Sequence, residues 1–400
     1  MKQVAIVGVG QLPFKARYID KSYKALAVEA TKTALDDAKV AKEDIGAVVH
    51  SIYCELMMRQ QAPDILIQDH LGLRDKPSMR VALGAATGGF ALYGAYGIVA
   101  SGLADIVLLL GVQKGQDFYS FDTASRGDGL LKGFSISSDT TWIQPLKSGG
   151  VSSLQTVLIW LPHLSKYGGP TPEQVAKVSV KNHKNALLNP NAQLKMDLSV
   201  EEVLNSRIIA WPTTMYECCL YSEGATALIL ANENKAREIT DTPIWIAGCS
   251  TCAYYNGRLE PSDLGRMTGV SIASKRAYEM AGIKNPFDEL DVIELHDIIS
   301  AVEVIAYEEL GLCQLGDGGK LVDEGIVYKD GKLPVNPSGG RVACGHVGGV
   351  SEIYSIAEIV FQLREEAGDR QVQIRRGKGL IECIDGAASG SAIAILERER

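Results

Sequence analysis

Val292-Ile293-Glu294-Leu295-His296-Asp297 is the stretch on which the reading of this chain turns. A buried, strand-like run ends in a histidine and an aspartate, and a helical pattern over Ser300–Leu310 follows at once. In layered α/β proteins, ligands bind at the C-terminal ends of such strands. Outward from this point the alternation continues. Pro243–Gly248 reads as a strand and Leu264–Ala281 as a helix. Beyond it, Gly349–Arg364 reads as a helix, and Gly379–Cys383 and Ser391–Glu397 close the chain as two strands.

The N-terminal part follows the same order. Val4–Gly10 is a strand, Ser22–Ala38 a helix capped by Ser22, and Ala47–Tyr53 a strand. Gly84–Ala100 is a helix rich in small residues, followed by Asp105–Gly111 as a buried strand. The recurrence suggests two related domains packed together. The division expected is 1–112 with 208–237 as one half, 238–400 as the other, and 113–207 as an insertion. The insertion reads as folded over the first domain, as a wall or lid. Glu223–Leu230 returns the chain to the sheet.

Bulk properties narrow the function. Hydrophobic residues make up 46% of the 400, enough for a large core. A net charge of −8 with few aromatics gives no support for a nucleic-acid-binding face. No apolar run approaches the roughly 18 residues that span a bilayer, and the first apolar run is too short for a signal peptide. A cytoplasmic location with reduced thiols is therefore expected for the eight cysteines. Cys249 and Cys252 form one Cys-x-x-Cys, but the second pair of a zinc ribbon is missing. They read as packing, and no metal is expected in this chain.

Three residues are candidates for chemistry. His346 lies in Gly345-His346-Val347-Gly348-Gly349, downstream of Asn336-Pro337-Ser338-Gly339-Gly340. Glycines let a backbone approach a ligand closely, and a histidine in such a loop suits proton transfer or oxyanion stabilisation. His296 ends its strand beside Asp297. Cys383, in Glu382-Cys383-Ile384-Asp385-Gly386, suits acid–base work if its thiol is acidified. Taken singly, these also read as a loop histidine, a core histidine bonded to a carbonyl, and a small buried hydrophobe.

Together with Tyr167-Gly168 and Glu173-Gln174-Val175-Ala176-Lys177-Val178-Ser179-Val180-Lys181-Asn182-His183-Lys184-Asn185-Ala186, these segments make the chain resemble the thiolase superfamily over nearly its whole length. The resemblance is strongest to the branch of sterol-carrier-type and archaeal thiolases. It implies an α/β fold of two similar βαβαβαββ halves forming a five-layered α-β-α-β-α core with an inserted loop domain. It implies an acyltransferase with coenzyme A as substrate, and CoA-dependent thiolytic cleavage of a branched or aromatic β-ketoacyl-CoA such as benzoylsuccinyl-CoA. A homodimer core and a small partner subunit with a zinc ribbon and an OB-like domain are implied as well.

Carried over residue by residue, His346 matches the histidine that activates the nucleophile, and His296 one that builds the oxyanion site. Cys383 matches the acid/base cysteine, with a longer spacing after it. Ala85, in Gly84-Ala85-Ala86-Thr87-Gly88-Gly89, stands where the family has its nucleophilic cysteine. CoA phosphates are expected to meet Lys114, Lys132, Lys147, Lys181 or Lys184, and a free substrate carboxylate to meet Arg59, Arg126 or Arg258.

Alanine cannot be acylated, so covalent transfer through residue 85 is closed. Three explanations are open: an engineered Cys→Ala change, a reaction that needs no covalent intermediate, or a sulfur from elsewhere, with Cys344 and Cys54 as the candidates. The alternatives to thiolysis are retro-aldol cleavage of a β-hydroxyacyl-CoA and a non-catalytic scaffold. Retention of both histidines favours thiolase-type chemistry.

Overall fold

In the computed structural model, which describes residues 3–115, 150–254, 264–386 and 388–398, strand alternation sorts the apolar side chains into separate cores. Successive residues of a strand face opposite sides. Val107 and Leu109 therefore enter one core while Leu108 and Leu110 enter another. In the C-terminal half, Ala392 and Ala394 share the first of these cores, and Ile393 and Ile395 face a third.

The strands of the main sheet are β1 (Val4–Gln11), β2 (Ala47–Ser51), β3 (Ser78–Val81), β4 (Ile106–Gln113), β5 (Gly224–Asn232), β6 (Ile244–Ala253), β7 (Val292–Glu294), β8 (Lys378–Ile384) and β9 (Gly390–Arg398). They form one mixed nine-stranded sheet in the order β3-β2-β4-β5-β1-β6-β9-β8-β7. The two halves mirror each other about the antiparallel β1·β6 contact, where Ala5 pairs with Trp245 and Ile6 with Ile244. In the first half, β5 runs antiparallel to β1 and β4, and β2 is parallel to β4 and β3. In the second, β9 runs antiparallel to β6 and β8, and β8 is parallel to β7. Val335 completes the match with a parallel bridge to Ile293, in the place that β3 holds beside β2. The duplication that the sequence pattern suggests is thus present strand for strand.

The helices that build the layers are α1 (Tyr23–Ala38), α2 (Thr87–Ser101), α3 (Pro172–Leu187), α4 (Thr268–Ala281), α5 (Ser300–Glu309) and α6 (Ser351–Arg364). Leu26, Ala30 and Ala34 of α1 cover one outer face. Ala91 and Ala95 of α2 and Ile353, Ile356 and Val360 of α6 fill the middle. Val270 and Ala273 of α4 and Val302 and Ile305 of α5 cover the other outer face. The result is the five-layered α-β-α-β-α arrangement. Small residues on α2 let it lie buried between the two halves of the sheet. The Cys249/Cys252 pair divides between faces: Cys249 enters the middle core and Cys252 packs on the outer one.

The insertion departs from expectation. Among its described residues, Asn191 reaches the first domain, its carbonyl accepting from Phe14 N–H at 2.9 Å, while α3 packs on the other half. Val175 and Val178 of α3, with Trp160, join the outer core of the C-terminal half. The helix is well formed, with a reciprocal box in which Thr171 and Gln174 cap each other's backbone N–H groups. Its apolar stripe, not chain order, decides which half it covers. Strand β3 also escaped the sequence reading, because Ser78-Met79-Arg80-Val81 is a largely exposed edge with no apolar run. No helix among the described residues is long and apolar enough to cross a membrane.

Two glycines give opposite tests of this packing. A Cβ at Gly8 of β1 would collide with the Ala34 carbonyl and the Ala38 methyl of α1. Gly8→Ala should destabilise the protein by about 1–3 kcal/mol in urea unfolding. A Cβ at Gly97, inside α2, meets nothing within 4 Å. Gly97→Ala should instead stabilise by about 0.5–1 kcal/mol in the same measurement.

Candidate active site

The turn into α2 sets the floor of the site. Gly84 adopts φ 51°, a left-handed conformation that glycine takes without a steric penalty. The Thr87 hydroxyl donates to the Gly84 carbonyl at 2.6 Å and accepts from Leu83 N–H at 2.7 Å, closing the turn. The helix begins at Thr87 with Ala86 as its cap, three residues later than the sequence pattern places it. Ala85 therefore lies in the turn, not in the helix, and is 7% exposed.

Two glycines then admit neighbouring elements. A Cβ at Gly88 would sit 2.8 Å from the Glu352 Cβ and 2.9 Å from its Oε2, so only glycine lets α6 approach here. The Gly88 backbone favours the charged form of the Glu352 carboxyl, against the larger effect of burial. A Cβ at Gly89 would lie 2.9 Å from Cys383 Sγ.

His296 enters from the end of β7. Its backbone N–H donates to Glu382 Oε2 at 3.0 Å, and its Nδ1 lies 2.8 Å from Glu352 Oε1. His346 enters from the glycine-rich loop. Its backbone N–H donates to the Leu220 carbonyl at 2.8 Å, and its Nδ1 lies 3.1 Å from Ser351 Oγ. The two imidazole rings meet edge to face, with centroids 4.9 Å apart at 78°.

Asp297 holds the loop in place. Its carboxylate accepts from Asn182 Nδ2 at 2.8 Å and from Arg341 N–H at 2.5 Å. Glu294 accepts from Ser338 N–H at 3.0 Å and from Ser338 Oγ at 2.7 Å. Asn336 Oδ1 accepts from Leu295 N–H at 2.7 Å, and Asn336 Nδ2 donates to Glu303 at 2.7 Å. The Asn-Pro-Ser-Gly-Gly segment is thus stitched to the strand that carries His296.

Burial dominates the electrostatics. It lowers His346 to about 3, with the neighbouring His296 and Arg341 adding to the effect, and it lowers His296 well below the usual range. Both imidazoles are therefore neutral at pH 7. Burial pushes Glu352 up to about 7 and Glu382 up to about 8. It also pushes the Cys383 thiol well above its usual value, with Glu352 and Glu382 adding to the rise. A neutral imidazole N–H can donate to an oxygen that gains negative charge, and a desolvated pocket strengthens that bond. His296, His346 and Glu352 could also hold a cation: each offers one ligand atom, all within 4.8 Å of one another.

Several expected residues have other duties. Lys114 Nζ donates to the Tyr18 carbonyl at 2.7 Å and the Lys21 carbonyl at 3.0 Å. Lys181 Nζ donates to the Val335 carbonyl at 2.6 Å and pairs with Glu303 at 2.7 Å, with 1% of the residue exposed. Both are bound into the fold by these partners. Lys184 is exposed on α3, and Arg59 is exposed at the end of a short helix. Lys132, Lys147, Arg126 and Arg258 lie outside the described residues. Cys383 packs in the middle core against the first turn of α2, a setting that disfavours the thiolate an acid/base cysteine needs. Cys344 is buried beside Phe14 and Tyr354, and burial pushes its thiol up to about 12. Cys54 caps the short helix Glu55–Met58, with its backbone held by Gln113.

Glu352 is the residue the sequence reading missed. Its signal was present as an acid at the start of a helix, just after a glycine-rich loop. That pattern alone also describes an ordinary favourable charge at a helix N-terminus.

Comparisons with known proteins agree with this architecture. Residues 4–200 match the model of the thiolase N-terminal domain, and residues 256–398 the thiolase C-terminal domain-like model. The acetyl-CoA acetyltransferase of Methanothermobacter thermautotrophicus is 36% identical over 399 residues, covering 100% of both chains. The benzoylsuccinyl-CoA thiolase subunit BbsB of Thauera aromatica is 30% identical over 379 residues, covering 93% of this chain and 92% of its own. Among solved structures, the Ltp2-ChsH2(DUF35) aldolase superimposes with a TM-score of 0.82 at 22% identity, covering 100% of this chain and 98% of that one.

The buried carboxyls give a pH test. Glu382 titrates near pH 8 in the folded protein against an ordinary 4.5. Its raised value contributes stability that is full below the unfolded pKa and is lost as pH rises through the folded one. Wild type should therefore lose stability to urea between about pH 5 and about pH 8, and Glu382→Gln, neutral throughout, should lose less. Equal losses would contradict the assignment.

Proposed function

The chain belongs to the thiolase family of acyltransferases, enzymes of acyl-CoA carbon–carbon bonds, and we propose that it cleaves a bulky β-ketoacyl-CoA with CoA by a route that has no acyl-enzyme. The observation that carries this reading is the pair of buried neutral imidazoles, His296 and His346, beside a turn that has an alanine where a nucleophile would stand. In this route the CoA thiol itself attacks the β-carbonyl carbon. Its proton passes to a base of the site. The bond between the α and β carbons breaks, its electron pair moves onto the α carbon, and the proton returns there. His296 and His346 donate to the oxygens that gain charge. The products are two CoA thioesters, and no atom is left on the protein.

A branched or aromatic acyl group is supported by the relationship to the benzoylsuccinyl-CoA thiolase subunit. The assembly proposed is a homodimer core with a small zinc-ribbon/OB-fold partner, supported by the word subunit in that relative's name and by the second protein named in the aldolase structure. A cytoplasmic location is part of the same reading.

Ala85 itself favours one second reading. Retro-aldol cleavage of a β-hydroxyacyl-CoA needs a proton acceptor and an oxyanion site but no sulfur.

One substrate panel tests both. Benzoylsuccinyl-CoA and simpler β-ketoacyl-CoA esters with CoA, and β-hydroxyacyl-CoA esters without it, are offered to the wild type and to Ala85→Cys. Wild-type cleavage that requires CoA supports the first reading. Wild-type cleavage of a β-hydroxy ester without CoA supports the second. Turnover by Ala85→Cys alone would overturn both and make the missing sulfur the whole deficit.

A further inference from the structure

We propose that Glu352 is the proton carrier of this site. This deepens the reading above and rests on it.

The geometry singles the residue out. Its carboxyl lies over the first turn of α2, against Gly88, three residues from Ala85. One of its oxygens lies 2.8 Å from His296 Nδ1. It also falls within the group that brings His346 and His296 ligand atoms to within 4.8 Å. Neither carboxyl oxygen has a hydrogen-bond partner among the described residues, although the residue is only 2% exposed. A buried carboxyl with unfilled hydrogen-bonding capacity is costly unless something calls for it. Three other buried acids near the strand ends have partners: Asp297 holds Asn182 and Arg341, Glu294 holds Ser338, and Glu382 accepts from His296 N–H. Glycine at position 88 leaves the space in which Glu352 stands.

Every element around the carboxyl bears on its charge. His296 faces it from the end of β7 and His346 from its own loop. Glu382 and Cys383 act from β8, and Arg341 from the segment before the loop. Desolvation outweighs the cations and brings the carboxyl close to neutrality, where a group both accepts and returns a proton efficiently.

The step balances within the site. The carboxylate takes the proton of the CoA thiol, and the thiolate forms a bond to the β-carbonyl carbon. When the carbon–carbon bond breaks, the α carbon takes that proton from the carboxylic acid, and Glu352 returns to its starting state. In the aldol reading the same carboxylate takes the proton of the β-hydroxyl. In both, the reverse direction begins with Glu352 removing an α proton from an acyl-CoA.

That half-reaction is the test. Acetyl-CoA is incubated with the protein in D2O, and deuterium in its methyl group is followed by mass spectrometry. Wild type should exchange. Glu352→Gln should exchange about 100-fold or more slowly while acetyl-CoA affinity, measured by calorimetry, is retained. Glu352→Asp should recover part of the rate. A merely structural role would instead lower affinity and leave the exchange rate of bound ester unchanged. Exchange by Glu352→Gln within a few-fold of wild type overturns the assignment and leaves the C–C reading standing. No exchange by wild type overturns both.

Discussion

The carboxylate of Asp297 is the joint on which the site depends. It receives Asn182 from the inserted helix α3 and the Arg341 N–H from the segment that leads to the glycine-rich loop. It thereby ties two distant parts of the chain to the end of β7. Asn182 also donates to Glu303 of α5 at 2.7 Å, and Glu303 in turn pairs with Lys181. A buried polar network of this kind is stabilising only when its members are satisfied, so it specifies one arrangement of loop, helix and strand. His346 meets His296 because that arrangement exists. The insertion is therefore part of the site's frame, through its second-half contacts.

The second constraint is dryness. Removing water makes charged forms expensive, and the histidines, thiols and the carboxyls Glu352 and Glu382 respond in the same sense. Both histidines become neutral and the carboxyls Glu352 and Glu382 gain protons near pH 7. Thiols at Cys344 and Cys383 are held as thiols. Such an environment suits hydrogen bonds to a transient oxyanion and proton transfer over short distances. A resident thiolate would need a compensating positive field, and the turn at Ala85 holds no sulfur to use it. The chemistry that remains is acid–base and electrostatic.

Much of this was legible in the residues. The α/β order, the recurrence in two halves and the placement of His296 at a strand end follow from apolar runs, and the helix capped by Ser22 forms as read, Ser22 accepting from Ala25 N–H. The start of α2 was misplaced because Gly84-Ala85-Ala86 has no apolar period, and the Thr87 hydroxyl that closes the turn is invisible to one. Lys114 and Lys181 were read as ligand-facing because a lysine in an insertion is usually solvated; their carbonyl partners come from segments far away in sequence. Glu352 was passed over for the converse reason. An acid in the first turn of a helix is ordinary, and only the close approach of Gly88 and His296 makes it exceptional.

The central claim is carbon–carbon bond chemistry at a thiolase site with no covalent intermediate. Intact-mass spectrometry of the protein, acid-quenched during turnover of a β-ketoacyl-CoA with CoA, tests it most directly. The account predicts the unmodified mass at every time point while product accumulates. An acyl adduct that forms and decays at the rate of turnover, on any cysteine of the chain, would contradict it.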